Sequence, residues 1–205
     1  VQHGQALGRW AEMADPGWSF AAALATFRAG YKLPLAAVES VRGSRTGELI
    51  ARCIVETGTS SYYTALADAA VEPALRQICL KIAADEHRHY KVFYTHMKRY
   101  QERERLGIWE RLKVALGRLA ESEDDELSYA YYSANGTGAY DRRANRSAYA
   151  RRAYSLYRAR HVERAIGLVL KAVGLAPNGR LHRALAWLAG RFMGWRAAAL
   201  ARAGA

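Results

Sequence analysis

The sequence contains little proline, little cysteine and no long uninterrupted apolar run. Only four prolines occur in 205 residues, while 51% of the residues are hydrophobic, so the chain does not have the composition of a disordered protein and can bury one sizeable core. No stretch approaches the roughly 20 consecutive apolar residues that a membrane-spanning helix needs. The opening residues also lack the basic-then-apolar pattern of a secretory signal peptide. We therefore expect a cytoplasmic protein, peripheral to the inner membrane face if it contacts a membrane at all.

Only two cysteines are present, Cys53 and Cys79, and both fall inside apolar patterns with helical spacing. If their segments form an antiparallel hairpin, the two residues lie at different levels of it, too far apart for a disulfide. We predict two buried free thiols, which a reducing cytosol permits.

Acidic residues are scarce in the last third of the chain. From Asp141 onwards there are fourteen Lys and Arg residues against two acidic ones, whereas residues 1–140 carry seventeen of each sign. The net charge of +12 therefore belongs entirely to the last third. Any basic partner surface is expected there.

Alternating strand patterns are almost absent, and the apolar period is helical nearly throughout, which predicts an all-α protein. Glycine and proline positions divide the chain into six predicted helices. The first follows Pro16-Gly17, the next three cover about 46–70, 73–100 and 108–134, the fifth follows the polar segment 141–146 and ends near 174, and the sixth follows 177–179.

A Glu-x-x-His pair, Glu86 and His89, lies in the third predicted helix. Both side chains project from one helix face on consecutive turns, so they can reach one metal ion. They share an apolar stripe with Ile82 and Phe93, so Glu86 is expected to be buried. Burial of its negative charge is costly unless a partner neutralises that charge. Glu56, thirty positions before Glu86 in the second helix, is the expected partner. The alternative is an ordinary i,i+3 pair on a solvated face.

A four-helix metal site needs a second half, with a Glu from one helix and a Glu-x-x-His from another. The spacing favours Glu126 and His161, since 35 positions separate them and 33 separate Glu56 from His89. Glu123 is the next choice on the fourth helix, and Tyr157 could supply a phenol beside His161. The position three residues before His161 holds Arg158 where the pattern needs Glu.

Arg158 leaves three interpretations open. The site binds two ions with the guanidinium rotated away, it binds one ion because the positive charge repels a second, or it binds no metal. In the first two cases Arg158 would lie beside the metal ligands or bind the carboxylate or phosphate of a substrate.

These residues resemble the ferritin-like, rubrerythrin-related family. The resemblance covers roughly 45–165 and is carried by Glu56, Glu86 and His89. It implies an antiparallel four-helix bundle over 45–174, with a helical extension at 1–44 and a further helix at 175–205. It also implies two iron ions and chemistry with oxygen or peroxide, although manganese and zinc suit the same donors. The family's rubredoxin-like Cys-x-x-Cys module is missing, so electrons are expected from an external donor.

The sixth predicted helix is amphipathic and basic. Its apolar stripe consists of Leu181, Leu185, Leu188, Phe192, Trp195 and Ala199, and its arginines include Arg180, Arg183, Arg191, Arg196 and Arg202. Such a helix can lie on an anionic membrane or bind an acidic carrier protein. Alternatively it packs on the bundle with a solvated basic face. No binding motif accompanies the charge, so nucleic acid is not favoured.

Two functions of different class follow. As an enzyme, the protein would be a non-haem iron oxidoreductase or oxygenase acting on an apolar, lipid or acyl substrate. As a non-enzyme, it would be a metal-binding or metal-free helical protein that docks through its basic last third. Ferritin-like domains often pair, so a homodimer fits either function.

Overall fold

A computed structural model describes residues 2–31, 40–121 and 125–203. Within these ranges the chain forms nine helices and no strand, which confirms the all-α prediction. The helices are α1 Gln2–Ala14, α2 Phe20–Gly30, α3 Arg45–Ala69, α4 Pro73–Glu104, α5 Ile108–Glu121, α6 Asp125–Asn135, α7 Arg142–Leu156, α8 Ala159–Ala172 and α9 Arg180–Ala203.

The long helices α3 and α4 form an antiparallel hairpin whose ends are fixed by caps. Ser44 caps α3, with its hydroxyl accepting the amide of Gly47 at 2.9 Å. Pro73 occupies the first turn of α4, where its missing N–H costs nothing. The carboxylate of Glu72 accepts the amides of Ala74 and Leu75 just before it. The connection between the two helices is therefore short and tightly specified.

Four helices contribute to one hydrophobic core. Ile50 and Cys53 of α3, Tyr90 of α4, Ala115 of α5 and Val173 at the end of α8 are all buried in it. Helices α5 and α8 both pack against α3, so the α3–α4 hairpin is completed to a four-helix arrangement. Both cysteines are buried free thiols, as predicted.

Tyr90 anchors this core, because it is almost fully buried and its hydroxyl donates to the carbonyl of Leu168 at 2.8 Å. We expect Tyr90→Phe to lower the free energy of unfolding by about 1–2 kcal/mol, since the part-buried hydrogen bond to the Leu168 carbonyl is lost. The matched control is Tyr132→Phe, because the Tyr132 hydroxyl donates an exposed hydrogen bond of the same 2.8 Å to the carbonyl of Gly138. Urea unfolding followed by circular dichroism measures both. Equal losses in the two variants would contradict the prediction.

The fifth predicted helix is not continuous. Helix α7 ends at Leu156 and α8 begins at Ala159, with Tyr157 and Arg158 in extended backbone conformations. The break is stabilised by His161, whose Nδ1 accepts the backbone amide of Arg158 at 3.0 Å. The prediction of one helix ending near 174 was wrong at this point. The predicted continuity of 108–134 falls partly on residues 122–124, which lie outside the described part.

The N-terminal helix α1 was not predicted, because its two glycines weaken the helical pattern. One of them, Gly8, is buried where a Cβ would meet the ring of Phe20 at 2.5 Å. The indole of Trp10 donates to Glu72 at 2.7 Å, which ties α1 to the start of α4. These contacts place the first turn of α1 beside the middle of α4.

Candidate metal centre

Glu56 of α3 meets Glu86 and His89 of α4 in one group. One ligand atom from each residue lies within 4.8 Å of the other two. His89 Nδ1 is 3.1 Å from Glu86 Oε2 and 3.6 Å from Glu56 Oε2. The Glu-x-x-His spacing places both α4 residues on the face that packs against α3. These three predicted ligands are therefore brought together by the hairpin alone.

The three side chains of this group differ in their exposure to solvent. The side chains of Glu56 and Glu86 are 12% and 13% exposed, whereas that of His89 is 52% exposed. Glu56 Oε2 is buried and accepts no hydrogen bond. A buried carboxylate oxygen without a donor is costly unless a proton or a cation compensates it. His89 forms the solvent side of the group.

The two carboxyl groups cannot both ionise easily. Burial raises the pKa of Glu56 to about 8, with further contributions from the hydrogen bond and the negative charge of Glu86. Burial also opposes ionisation of Glu86, but hydrogen bonds from Glu56 and His89 and the charges of His3 and His89 lower its pKa below the ordinary value. The opposite shifts of the two pKa values disfavour two negative charges at this place in the metal-free protein. A divalent cation would favour ionisation of both carboxyl groups.

The donor set and its spacing fit a metal ion. Two donors at about 2.1 Å from one ion lie roughly 3.0–3.4 Å apart at octahedral or tetrahedral angles. The distances of 3.1 and 3.6 Å around His89 Nδ1 lie close to this range. Two carboxylates and one imidazole suit iron, manganese and zinc. Protein ligands on one side only would leave further coordination positions for solvent or substrate.

The second half of the predicted site does not assemble at this group. Glu126 is exposed on α6. His161 is buried, but its Nε2 hydrogen bonds to Asp68 Oδ2 at 2.6 Å. Asp68 follows Glu56 by twelve residues on the same helix, a distance of about 18 Å. With its other nitrogen accepting from Arg158, His161 is occupied as a structural residue away from the carboxylate pair.

The remaining predicted residues lie near His161 or outside the described part. Tyr157 follows the last residue of α7 as its C-cap, and its ring lies edge-on to that of His161 with 6.2 Å between the ring centroids. Burial raises the pKa of Tyr157 to about 12. Arg158 is exposed at the N-cap of α8. Glu123 falls among the residues that the structure does not describe. Neither Tyr157 nor Arg158 contacts Glu86, and the role of all three residues in metal binding stays a prediction.

Sequence reasoning missed two residues beside the group, His3 and Asp85. His3 Nδ1 lies 3.1 Å from Glu86 Oε1, and His3 Nε2 lies 3.1 Å from Asp85 Oδ2. The contact depends on α1, which the pattern did not predict. Leu7, Trp10 and Ala11 stand at helical spacing and were the available signal for that helix.

A carboxylate and histidine group on an antiparallel helical hairpin, inside a four-helix core, is an arrangement found in ferritin-like proteins. The family model for rubrerythrin matches residues 49–134, which run from α3 through α6. This segment is a rubrerythrin-family domain, as the resemblance implied, and the fold is a ferritin-like four-helix bundle. The match includes Glu56, Glu86, His89 and Glu126 and ends before His161. Searches of curated proteins and of solved structures give no match.

Proposed function

We propose that the protein is a non-haem iron oxidoreductase that holds its metal through Glu56, Glu86 and His89. The buried carboxylate pair beside an imidazole carries this proposal, because it is the kind of donor set that stabilises a cycling metal. Iron at this group would supply the redox chemistry with oxygen or peroxide. Membership of residues 49–134 in the rubrerythrin family supports two ions rather than one.

The three side chains would have different roles because they differ in burial. Glu56 and Glu86 supply negative charge in a poorly solvated place, where it is most effective. His89 stands at the solvent side, so small oxidants can approach past it. The substrate we propose is apolar, a lipid or an acyl group, and the electron donor is a separate protein.

Ferrous loading followed by exposure to oxygen or peroxide tests this function. Wild type should oxidise bound iron faster than free iron in the same buffer, and His89→Ala should not. His96→Ala is the matched control, because His96 is an exposed histidine two turns further along α4. Oxidation in wild type no faster than in His89→Ala would contradict the proposal.

A second proposal concerns α9, which we infer docks on an anionic phospholipid surface. Helix α9 packs on α7 and α8, yet four of its large apolar side chains are more than half exposed: Trp187, Leu188, Phe192 and Trp195. Helix α9 contains no acidic residue, and Arg191 lies over the ring of Trp187 at 5.2 Å. A cavity of about 410 Å³ between α7 and α9 is lined by four arginines, Arg142, Arg143, Arg146 and Arg196. Such a surface combines apolar contacts with attraction to phosphate.

No helix in the described ranges is both long and apolar enough to cross a bilayer. We expect the double variant Trp187→Ala, Trp195→Ala to reduce binding to phosphatidylserine vesicles about tenfold or more, because both indoles would leave the interface. Trp109→Ala is the matched control, since Trp109 is 80% exposed on α5. Vesicle sedimentation at low and high salt measures the effect.

An equal loss in Trp109→Ala, or no binding by wild type at low salt, would contradict the membrane contact. Binding to an acidic carrier protein without binding to vesicles would also overturn it, and would assign the same surface to a protein partner.

A further inference from the structure

The two oxygens of Glu86 face two different histidines. Oε2 lies 3.1 Å from His89 Nδ1, on the side of Glu56, and Oε1 lies 3.1 Å from His3 Nδ1, on the side of α1. If metal were bound, such a carboxylate could serve one metal position on each side, because each of its oxygens already faces an imidazole. The first position is the Glu56, Glu86 and His89 group. The second would lie between Glu86 Oε1 and His3.

We propose that His3 is a protein ligand of a second metal position, which shares Glu86 with the first. The 3.1 Å separation of His3 Nδ1 and Glu86 Oε1 equals that of His89 Nδ1 and Glu86 Oε2 on the other side. Both distances suit two donors of one ion. Helix α1 thus supplies Glu86 with an imidazole, whereas His161 of α8 bonds to Asp68 instead. This inference rests on the proposed metal function of Glu86.

Asp85 is the positioning residue for His3. Its Oδ2 lies 3.1 Å from His3 Nε2, so it can accept the proton of that nitrogen while Nδ1 faces Glu86. A carboxylate that receives the distant N–H of a ligand imidazole fixes the tautomer and raises the basicity of the metal-binding nitrogen. Asp85 also pairs with Arg88 one turn further along α4. Both carboxylates that hold His3 thus come from consecutive residues of one helix.

Helix α1 holds His3 at this place through contacts distant from the metal group. The indole of Trp10 donates to Glu72, and Gly8 allows close packing against Phe20. Half-buried His3 is 30% exposed in its side chain, compared with 52% for His89, so His3 is the less exposed of the two imidazoles. An ion there would link α1 to α4 and should stabilise the packing of α1.

Anaerobic titration with Co²⁺ tests the proposal without relying on turnover. Calorimetry gives the number of ions per chain, and ligand-field absorption reports coordination by nitrogen. We expect two ions in wild type, one in His3→Gln, and a second site at least about tenfold weaker in Asp85→Asn. His96→Gln, a change at an exposed histidine of the same helix, should still bind two. Circular dichroism checks that each variant keeps its helical content.

Proton NMR of the wild type with Co²⁺ gives a second readout that needs no variant, because the ring protons of a ligand histidine shift far outside the diamagnetic range. Two ions in both wild type and His3→Gln, or an unshifted His3 ring, would overturn the role of His3 while leaving the proposed function in place. A single ion in wild type would do the same. No bound ion in wild type would overturn the proposed function and this inference together.

Discussion

Glu86→Ala is expected to abolish tight metal binding, with a loss of affinity of more than about 100-fold for Fe²⁺ or Co²⁺. Glu86 is the one side chain in the described ranges that contacts Glu56, His89 and His3. Its removal deletes a charge and both oxygen donors at the centre of the group. Equilibrium titration under anaerobic conditions measures the loss.

His161→Gln provides the matched control for this prediction. The sequence spacing predicts His161 as a ligand, whereas in the structure its two nitrogens bond to Asp68 and to the amide of Arg158. We expect its replacement to leave metal affinity within about twofold of wild type and to lower stability through the lost hydrogen bonds. A loss of metal in His161→Gln equal to that in Glu86→Ala would show that His161 takes part in metal binding and would contradict the prediction.

The second large effect is a pH-dependent stability of the metal-free protein that depends on Glu56. Its pKa is about 8 in the folded chain and should be near 4.5 when unfolded, so the folded state binds the proton more tightly. The stabilising contribution is therefore fully present below pH 4.5 and is lost as the pH rises through about 8. Glu86 has a lowered pKa, so its own contribution is lost at the acidic end, as the pH falls through its folded pKa.

Glu56→Gln should remove the alkaline part of this dependence. We expect the variant to exceed wild type in stability above pH 8 by about 1–2 kcal/mol, after allowance for solvent screening at a partly buried site. Urea unfolding of the metal-free proteins between pH 5 and pH 9 checks it. Parallel curves for the two proteins would show that Glu56 ionises normally. In wild type, metal binding should release the proton and so tighten as the pH rises towards 8.

The α3–α4 hairpin and the meeting of its three candidate ligands could be predicted because every signal there is local. The Glu-x-x-His spacing, the apolar stripe through Ile82 and the start of α4 at Pro73 all depend on positions within a few turns. The family match over residues 49–134 covers this hairpin and confirms the predicted family. Hairpin geometry then brings Glu56 to Glu86 without further information.

The rest of the candidate site could not be predicted, because it depends on tertiary contacts that the spacing of residues in the sequence does not reveal. The near-equal separations of Glu126 to His161 and Glu56 to His89 presumed two unbroken helices. A capping contact between His161 and Arg158 instead divides the fifth helix, and it directs His161 towards Asp68. His3 was missed for the converse reason, since its helix has a weak pattern and is held by Trp10 and Glu72. Local pattern predicts which side chains two strong helices bring together, and it fails where a cap or a docking contact decides the geometry.

Iron-edge anomalous diffraction from crystals loaded anaerobically with Fe²⁺ tests the metal assignment most directly. We predict a peak within coordination distance of Glu56, Glu86 and His89, which is about 2.0–2.2 Å for these donors. A peak between Asp68 and His161, or no peak above background at any carboxylate and histidine group, would contradict the account.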